Sequence, residues 1–209
     1  STGAKIKFVD INEDYLIDTE QIVKKINNKT KAIIPVHLYG QSCDMDKINK
    51  IAKKNKLKII EDCAQAQGAT YKKKHVGTMG DAGCFSFYPT KILGAYGDGG
   101  FITVKSKKIY EKMRRIRFYG IEGLNKKNKF FGKYYSNEQG VNSRIDEMQL
   151  SILNIKLLQV NKYIKKRIKI ANYYRNKLKN TSLVLPNIRT NNKHVFHLFT
   201  VYHNKRDLI

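Results

Sequence analysis

The chain has 209 residues, of which 41% are hydrophobic and 11% aromatic, enough to bury one substantial α/β core and part of a second. Its 41 Lys and Arg residues outnumber its 17 Asp and Glu residues, so the formal net charge is +24 at pH 7. No apolar stretch approaches the roughly 20 residues of a membrane span, and no signal-peptide pattern opens the chain. These features predict a cytoplasmic protein without a membrane span.

Strand and helix patterns alternate along the first half of the chain, which implies parallel strands joined by right-handed crossovers. Asp18 or Thr19 is suited to cap the first helix, and Asp44 or Asp46 the second. The predicted strands are 6–9, 32–38, 57–60, 84–88 and 101–104. The first predicted helix runs from 19 to 27, the second from its cap at Asp44 or Asp46 to about 55, and the third from about 107 to 117.

The second half has a different character. The segment 120–140 is a long loop with aromatic residues, either ordered over a site or an interface, or a mobile insertion. Beyond Asn142, apolar residues recur in two stripes, which predicts one long helix, straight or bent, that is buried on more than one side. Residues 194–202 predict a strand in which His194 and His197 are packed. The predicted divisions are a large domain at 1–141, a linking helix at 142–180 and the start of a small domain at 181–209.

The net positive charge suggests nucleic acid as a partner, because the release of counterions on binding favours clustered lysines. The lysines are instead spread from Lys5 to Lys205 and mixed with Asn and Ile. The densest stretch, 162–169, lies on a predicted helix whose other face is apolar, which is typical of a solvated surface. The distribution of charge therefore disfavours a nucleic-acid-binding module, which is kept as an alternative.

The three cysteines, Cys43, Cys63 and Cys84, follow neither a CxxC spacing nor a metal-ligand spacing. Their odd number also argues against a complete set of disulfides. The sequence therefore predicts reduced thiols and no metal site.

Two residues in the central region suit the chemistry of pyridoxal phosphate (PLP), which needs a lysine to form a Schiff base and a carboxylate to keep the pyridine nitrogen protonated. Asp62 follows the strand 57–60, at the edge where open α/β sheets bind ligands; capping of a following helix is the alternative. Lys91 follows an apolar strand that Pro89 ends, and partial desolvation there favours the neutral amine that attacks an aldehyde. A solvated lysine is the alternative reading.

Five segments, in order and across nearly the whole chain, resemble the DegT/DnrJ/EryC1/StrS family of PLP-dependent nucleotide-sugar aminotransferases. No single segment would be specific, but their order and spacing together are. They are PVHLYGQ at 35–41, EDCAQA at 61–66, GCFSFYPTK at 83–91, GDGG at 97–100 and NSRIDEMQ at 142–149.

The resemblance implies a role for each matching residue. Lys91 would be the Schiff-base lysine and Asp62 the partner of the pyridine nitrogen. Gln65 would contact the ring or its 3-hydroxyl oxygen, and Ser86 would bind the cofactor phosphate. Asn142 would reach the phosphate held by the neighbouring subunit, which implies a homodimer.

The resemblance also implies the substrates. A nucleotide-linked keto sugar would receive an amino group from an amino acid, glutamate being expected, in surface-polysaccharide or glycan biosynthesis. Lysine at 91 favours amino transfer over a related dehydratase branch that carries histidine there. The sequences of segments 36–41 and 87–91 are more similar to those of family members that aminate C3 of a dTDP-3-keto-6-deoxyhexose than to those that act at C4. His37, Tyr88 and Arg144 are the expected substrate contacts.

The implied fold is the aspartate-aminotransferase-like fold type I, a mixed, mostly parallel sheet flanked by helices, with part of a smaller α+β C-terminal domain. In the family, an N-terminal third that includes a phosphate-binding Gly-Thr turn would precede Ser1, and a C-terminal helix would be starting near Ile209. Helix N-termini are natural phosphate sites. The sequence is therefore expected to be a fragment, and the alternative function is a non-catalytic piece that folds or dimerises without cofactor.

Overall fold

The computed structural model describes residues 2–121, 136 and 138–208. Most of the 120–140 loop predicted from sequence lies outside these residues. In chain order the strands are β1 (Ala32–Ile33), β2 (Lys58–Asp62), β3 (Thr70–Tyr71), β4 (Lys74–His75), β5 (Ala82–Ser86), β6 (Gly100–Val104) and β7 (Asn192–Lys193). The helices are α1 (Thr19–Lys25), α2 (Met45–Lys54), α3 (Lys107–Ile116), α4 (Glu147–Leu157) and α5 (Val160–Leu178), and short 3₁₀ turns span Leu38–Gly40 and Arg206–Leu208.

A four-stranded sheet of order β1-β2-β5-β6 forms the centre of the molecule. The first three strands are parallel, and β6 runs antiparallel to β5. Helix α2 makes the crossover from β1 to β2. This mixed, mostly parallel sheet with flanking helices confirms the predicted fold class.

A smaller antiparallel sheet of order β4-β3-β7 joins distant parts of the chain. Strand β7 comes from the C-terminal region and pairs with β3, which lies between β2 and β5 in sequence. The C-terminal region is therefore hydrogen-bonded to the first half of the chain rather than separate from it.

Polar caps set the starts of the helices. Asp18 accepts a hydrogen bond from the backbone N–H of Glu20 at 2.9 Å, and Asp44 accepts one from Lys47 at 3.2 Å. Such side chains satisfy the first N–H groups of a helix, which have no partner within it. Of the alternatives left by the sequence, Asp18 and Asp44 are the caps. The helix predicted at 107–117 is also present, with Ser106 as its cap.

Apolar side chains pack against the central sheet in two clusters. In one cluster, residues of α1 and α2 such as Ile22 and Ile48 pack with Ile33 and Ile59 of the strands. In the other, Ile164 of α5 packs against the loops that follow β2 and β5. Gly68 is needed there because its φ is +82° and a Cβ would lie 2.4 Å from the Ile164 side chain.

Two predicted strands of the first half differ from the structure. Residues 6–9 form no strand, and Ile6 and Phe8 are 75% and 84% exposed, because β-branched residues favour a strand only where a neighbour completes the pairing. The predicted strand 32–38 is reduced to β1 and a single bridge from Val36 to Asp62. Pro35, which has no N–H, lies between these two pairings.

The C-terminal predictions also need correction. The long helix is two helices, α4 and α5, separated at residues 158 and 159. Helix α4 is not buried on more than one side, since Met148 and Ile155 are 72% and 70% exposed. Residues 194–202 do not form a strand; only Tyr202 makes an isolated bridge, to Val184. Within the described residues, none of the helices combines the length and the hydropathy that crossing a membrane requires.

Candidate active site

Asp62 and Ser86 end two neighbouring parallel strands. Asp62 is the last residue of β2 and pairs in register with Cys84, two residues before Ser86, the last residue of β5. Paired residues of parallel strands point to the same face, and residues two apart on a strand do so as well. The side chains of Asp62 and Ser86 therefore project from the same face at the carboxyl edge of the sheet, where ligands bind in open α/β folds.

The Asp62 carboxylate is half-buried and only partly engaged. Its Oδ1 accepts a hydrogen bond from the backbone N–H of Ala64 at 2.9 Å. Within the described residues, the other carboxylate oxygen has no hydrogen-bond partner. The chain continues in turns over 63–69 rather than in a helix, so the structure does not support the helix-cap alternative.

Lys91 lies in a tight turn directly beyond β5. The backbone N–H of Lys91 donates to the carbonyl of Tyr88 at 2.9 Å, and the buried side chains of Ile92 and Leu93 anchor the next residues. Gly94 completes the turn, because a Cβ there would lie 2.5 Å from the Pro89 carbonyl oxygen. The Lys91 side chain is partly buried, and its amine makes no hydrogen bond or ion pair with any residue that the structure describes.

Ser86 and Gln65 each keep one polar group available. The Ser86 hydroxyl oxygen accepts from the backbone N–H of Tyr88 at 3.2 Å, so its hydrogen can still donate to an anion. The Gln65 carbonyl oxygen accepts from the backbone N–H of Tyr39 at 2.8 Å, which leaves its amide N–H groups as donors. Gln67, which the sequence analysis did not consider, donates to the Ser86 carbonyl at 2.6 Å and holds the strand end.

The structure brings His197 to this site. Its backbone N–H donates to the carbonyl of Tyr39 at 2.9 Å, next to the contact with Gln65. Burial, followed by the positive charges of Lys91 and Arg167, lowers the pKa of His197 to about 4, so the imidazole is neutral at pH 7. In the described part of the chain, its buried Nδ1 has no partner.

The sequence analysis placed His197 in a packed strand and missed its position, because nothing in the local pattern separates it from His194. His194 has an ordinary packing role. Its ring stacks on Phe196 at 3.9 Å, and its Nδ1 accepts from the Phe196 N–H at 3.0 Å. The signal that distinguishes the two residues is a contact made with Tyr39, far away in sequence.

His37 does not line the site, which corrects its expected contact with substrate. Its side chain is fully buried, and Nδ1 accepts from the backbone N–H of Cys43 at 3.1 Å. Nε2 lies 3.0 Å from Oε2 of Glu61. Both ring nitrogens are therefore used inside the protein.

The other expected substrate contacts lie on the surface. Tyr88 is 51% exposed at the turn that carries Lys91. Arg144 is exposed and donates a hydrogen bond to Oδ1 of Asn142 at 3.0 Å. The guanidinium carbon of Arg144 lies 5.1 Å from the centre of the Phe118 ring and 5.9 Å from the centre of the Tyr119 ring. Asn142 is also exposed and makes no hydrogen bond to another predicted cofactor residue within the part of this chain that is described. That position is compatible with a contact to a second subunit.

Among the described residues, one group has ligand atoms close enough together to suggest a metal, namely His37, Glu61 and Cys63, within 4.8 Å of one another. N–H donors already take the lone pairs of the histidine and of both carboxylate oxygens. Burial and the nearby carboxylates raise the pKa of the Cys63 thiol. Hydrogen bonding therefore accounts for this cluster. All three cysteines are free thiols, as predicted.

A model of the DegT/DnrJ/EryC1/StrS aminotransferase family matches residues 1–208. A dTDP-3-amino-3,6-dideoxy-alpha-D-galactopyranose transaminase from Aneurinibacillus thermoaerophilus is 49% identical over 95% of this chain and 52% of its own. A dTDP-3-amino-3,4,6-trideoxy-alpha-D-glucose transaminase from Micromonospora megalomicea is 42% identical over 99% of this chain and 54% of its own.

Solved structures agree. The crystal structure of DesV from S. venezuelae in complex with a ketimine intermediate has a TM-score of 0.87 and 36% identity, and the match covers 96% of this chain and 52% of that one. The chain thus spans about half the length of the relatives that it matches. Since the family match extends over nearly every residue, the resemblance is confirmed, and the chain belongs to the DegT/DnrJ/EryC1/StrS aminotransferase family.

Proposed function

We propose that the protein transfers an amino group, with PLP as cofactor, from an amino acid to a keto group of a nucleotide-linked deoxy sugar. The observation that carries this proposal is the placement of Asp62 and Ser86 on one face at the carboxyl edge of the sheet, with Lys91 in the turn directly after Ser86. A carboxylate, a hydroxyl donor and a partly buried amine are the groups that this cofactor requires.

The residues present fit PLP in their donors and acceptors. Asp62 has a free carboxylate oxygen for a protonated ring nitrogen, and Ser86 has a free hydroxyl hydrogen for phosphate. Gln65 has amide donors for a ring oxygen. The orphaned Nδ1 of His197 is a further polar group that a ligand beside Lys91 could satisfy.

When bound, PLP supplies an electron sink for the negative charge that develops at the carbon losing a proton. The carboxylate of Asp62 holds a proton at the pyridine nitrogen and so maintains that sink. Nζ of Lys91 would take the proton from the substrate carbon that bears the nitrogen and would deliver it on the other side of that nitrogen, since a mobile amine in a partly dehydrated turn can serve as both base and acid. His197 stays neutral, which avoids a second positive charge beside Lys91.

For the substrates, we propose glutamate as donor and C3 of a dTDP-3-keto-6-deoxyhexose as acceptor, in surface-polysaccharide or glycan biosynthesis. The names of both relatives, which are 3-amino sugar transaminases, support C3 over C4. Tyr88 and Arg144 are the exposed candidates for contacting the sugar nucleotide. His37 is not proposed for this role.

We further propose a homodimer in which Asn142 contacts the phosphate bound by the other subunit, and a location in the cytoplasm. The exposure of Asn142 supports the first point. We also propose the domain division at 141 and 180. It must be consistent with two features of the structure, the break between α4 and α5 and the pairing of β7 with β3.

The test is the chemistry of Lys91 itself. The full-length protein incubated with PLP should be yellow, and borohydride should fix the cofactor to the peptide that contains Lys91. Lys91→Ala should remove both signals, whereas Lys105→Ala, an exposed lysine, should remove neither. Label on a different lysine would contradict the assignment. A full-length protein that stays colourless would contradict the proposed function, and a 209-residue chain that stays colourless by itself would favour the alternative of a non-catalytic piece.

A further inference from the structure

Glu61 is a fully buried carboxylate that the proposed reaction does not use. It accepts hydrogen bonds from the backbone N–H groups of Gly77 at 2.8 Å, Met79 at 2.7 Å and Gly80 at 2.5 Å, and it contacts Nε2 of His37 at 3.0 Å. Burial raises the pKa of Glu61, but the hydrogen bonds from His37 and from these backbone groups outweigh it, and the net pKa lies below its ordinary value. The carboxylate is therefore ionised inside the protein.

The tautomer of His37 follows from its contacts. Its Nδ1 accepts the N–H of Cys43, so the ring proton lies on Nε2 and is donated to Glu61. The backbone N–H of the same residue donates to the carbonyl of Asp62 at 3.0 Å. One residue thus binds two consecutive residues of β2, through its ring at Glu61 and through its main chain at Asp62.

This arrangement fixes the end of β2 at the residue proposed to hold the pyridine nitrogen. The N–H of Asp62 donates to the carbonyl of Pro35 at 2.9 Å, and the next N–H, of Cys63, donates to Cys84 at 2.8 Å. With the contacts of His37, the main chain at residues 62 and 63 is held by segment 35–37 and by Cys84, while the loop 77–80 holds the side chain of Glu61. A carboxylate that must meet a ring nitrogen needs such support, because small displacements weaken the contact.

We propose that His37 and Glu61 are positioning residues, a buried pair that holds Asp62 in the orientation in which it keeps the pyridine nitrogen protonated. This inference rests on the proposed function. It gives the buried histidine of the PVHLYGQ segment a role in the reaction that does not require contact with the sugar.

The test uses the full-length protein loaded with PLP that carries ¹⁵N at the pyridine nitrogen, because the chemical shift of that nucleus reports its protonation. Glu61→Gln keeps the shape but places an N–H₂ group against N–H donors. We expect it to move the shift toward neutral pyridine and to lower kcat by about 10- to 100-fold, with little change in KM for the donor.

Asp81→Asn is the matched control. Asp81 holds the amino end of the same strand, where it accepts from the N–H of Ile59 and from the amine of Lys58, both at 2.9 Å. It should lower stability without moving the ¹⁵N shift or kcat. A Glu61→Gln protein that is less stable but has the wild-type shift and kcat would show that the pair is only structural.

A second pair of variants decides the question even if Glu61→Gln does not fold. His37→Gln retains an amide donor near the position of Nε2, whereas His37→Phe keeps the bulk and removes the donor. The glutamine variant should have a ¹⁵N shift closer to wild type than the phenylalanine variant, and equal shifts would overturn the proposal. If the wild-type nitrogen is not protonated, or if Asp62→Asn leaves it protonated, the proposed role of Asp62 is wrong and this inference falls with it. That outcome differs from a nitrogen that Asp62 keeps protonated and that the Glu61 and His37 variants do not affect, which overturns this inference alone.

Discussion

Strand β2 and helix α4 both follow clear sequence patterns, but they differ in how much of each element is buried in the folded chain. β2 ends in a site where Glu61 is fully buried and the backbone N–H groups of Asp62 and Cys63 donate to Pro35 and Cys84. Helix α4 begins at a polar cap, Asp146, which accepts from the N–H of Gln149 at 2.8 Å, yet among its described side chains only Leu153 is buried. A cap determines where a helix begins, but only neighbouring elements determine what it buries.

The contacts of α4 are nevertheless directed at the site. Gln149 accepts from the backbone N–H of Tyr96 at 2.8 Å, and the Lys156 amine donates to the carbonyl of Gly94. Both partners belong to the turn that follows Lys91. One side of α4 thus supports the lysine turn, while Met148 and Ile155 remain exposed on the other, as is typical of a surface that meets another protein.

The largest effect should come from the β2 side of this comparison. Asp62→Asn should retain PLP but lose turnover by about 10²- to 10⁴-fold, because the neutral amide cannot hold the proton on the pyridine nitrogen. Cofactor absorbance and kcat measure the two quantities separately. Asp46→Asn, at an exposed ion pair with Lys72, should leave both unchanged. Near-normal turnover of Asp62→Asn would make Asp62 a structural acid only.

Two residues of α4 allow the comparison to be tested within a single helix. Leu153→Ala should lower the free energy of unfolding by about 2–4 kcal/mol, because it opens a cavity against the loop after Lys91. Ile155→Ala, at a 70% exposed position, should change it by less than about 0.5 kcal/mol. Urea unfolding measures both. A large effect at Ile155 would indicate that a second subunit or another segment covers that face.

The buried side of the molecule should also be sensitive to acid. Burial, followed by the charge of Arg175, lowers the pKa of His194 to about 4 in the folded protein, against an ordinary value of 6.5. The unfolded chain therefore binds the proton first, and the stability associated with the neutral form is lost as pH falls from about 6.5 to about 4. The loss should reach about 3 kcal/mol.

The variant His194→Asn identifies the source of this loss. Asparagine can accept the N–H of Phe196 in place of Nδ1 but does not titrate. Its unfolding midpoint in urea should depend less on pH between 6.5 and 4 than the wild-type midpoint does. Identical pH profiles would assign the acid sensitivity to other groups.

The smallest expected effect concerns Asn142, just before α4. Asn142→Ala should weaken cofactor binding by about tenfold, the effect of losing one hydrogen bond to a charged group. If Asn142 reaches the other subunit, mixing this variant with Lys91→Ala under subunit exchange should create one intact site per heterodimer. Activity should then exceed the sum of the separate proteins. Simple averaging, with exchange confirmed by mass, would place Asn142 outside the neighbour's site.

The features that local sequence predicted correctly depend on neighbours in the chain. Asp18 and Asp44 act within the first turns of their own helices, so these helices could be predicted from their caps. Residues 6–9 have an equally good strand pattern, but a strand requires a partner that the pattern does not supply. The periodicity beyond Asn142 correctly predicted helix. It did not correctly predict burial on more than one side of α4, because burial likewise requires neighbouring elements that the pattern does not supply.

The sequence by itself determined the family, the mixed α/β class and the order of Asp62, Ser86 and Lys91, because motif spacing and caps are local properties. Only the tertiary structure decided that Asp62 and Ser86 share one face, that His37 is enclosed by Glu61 and Cys43, and that His197 bonds to Tyr39 beside Gln65. These outcomes depend on strand register and on hydrogen bonds between distant segments, which the fold fixes only when the segments pack together.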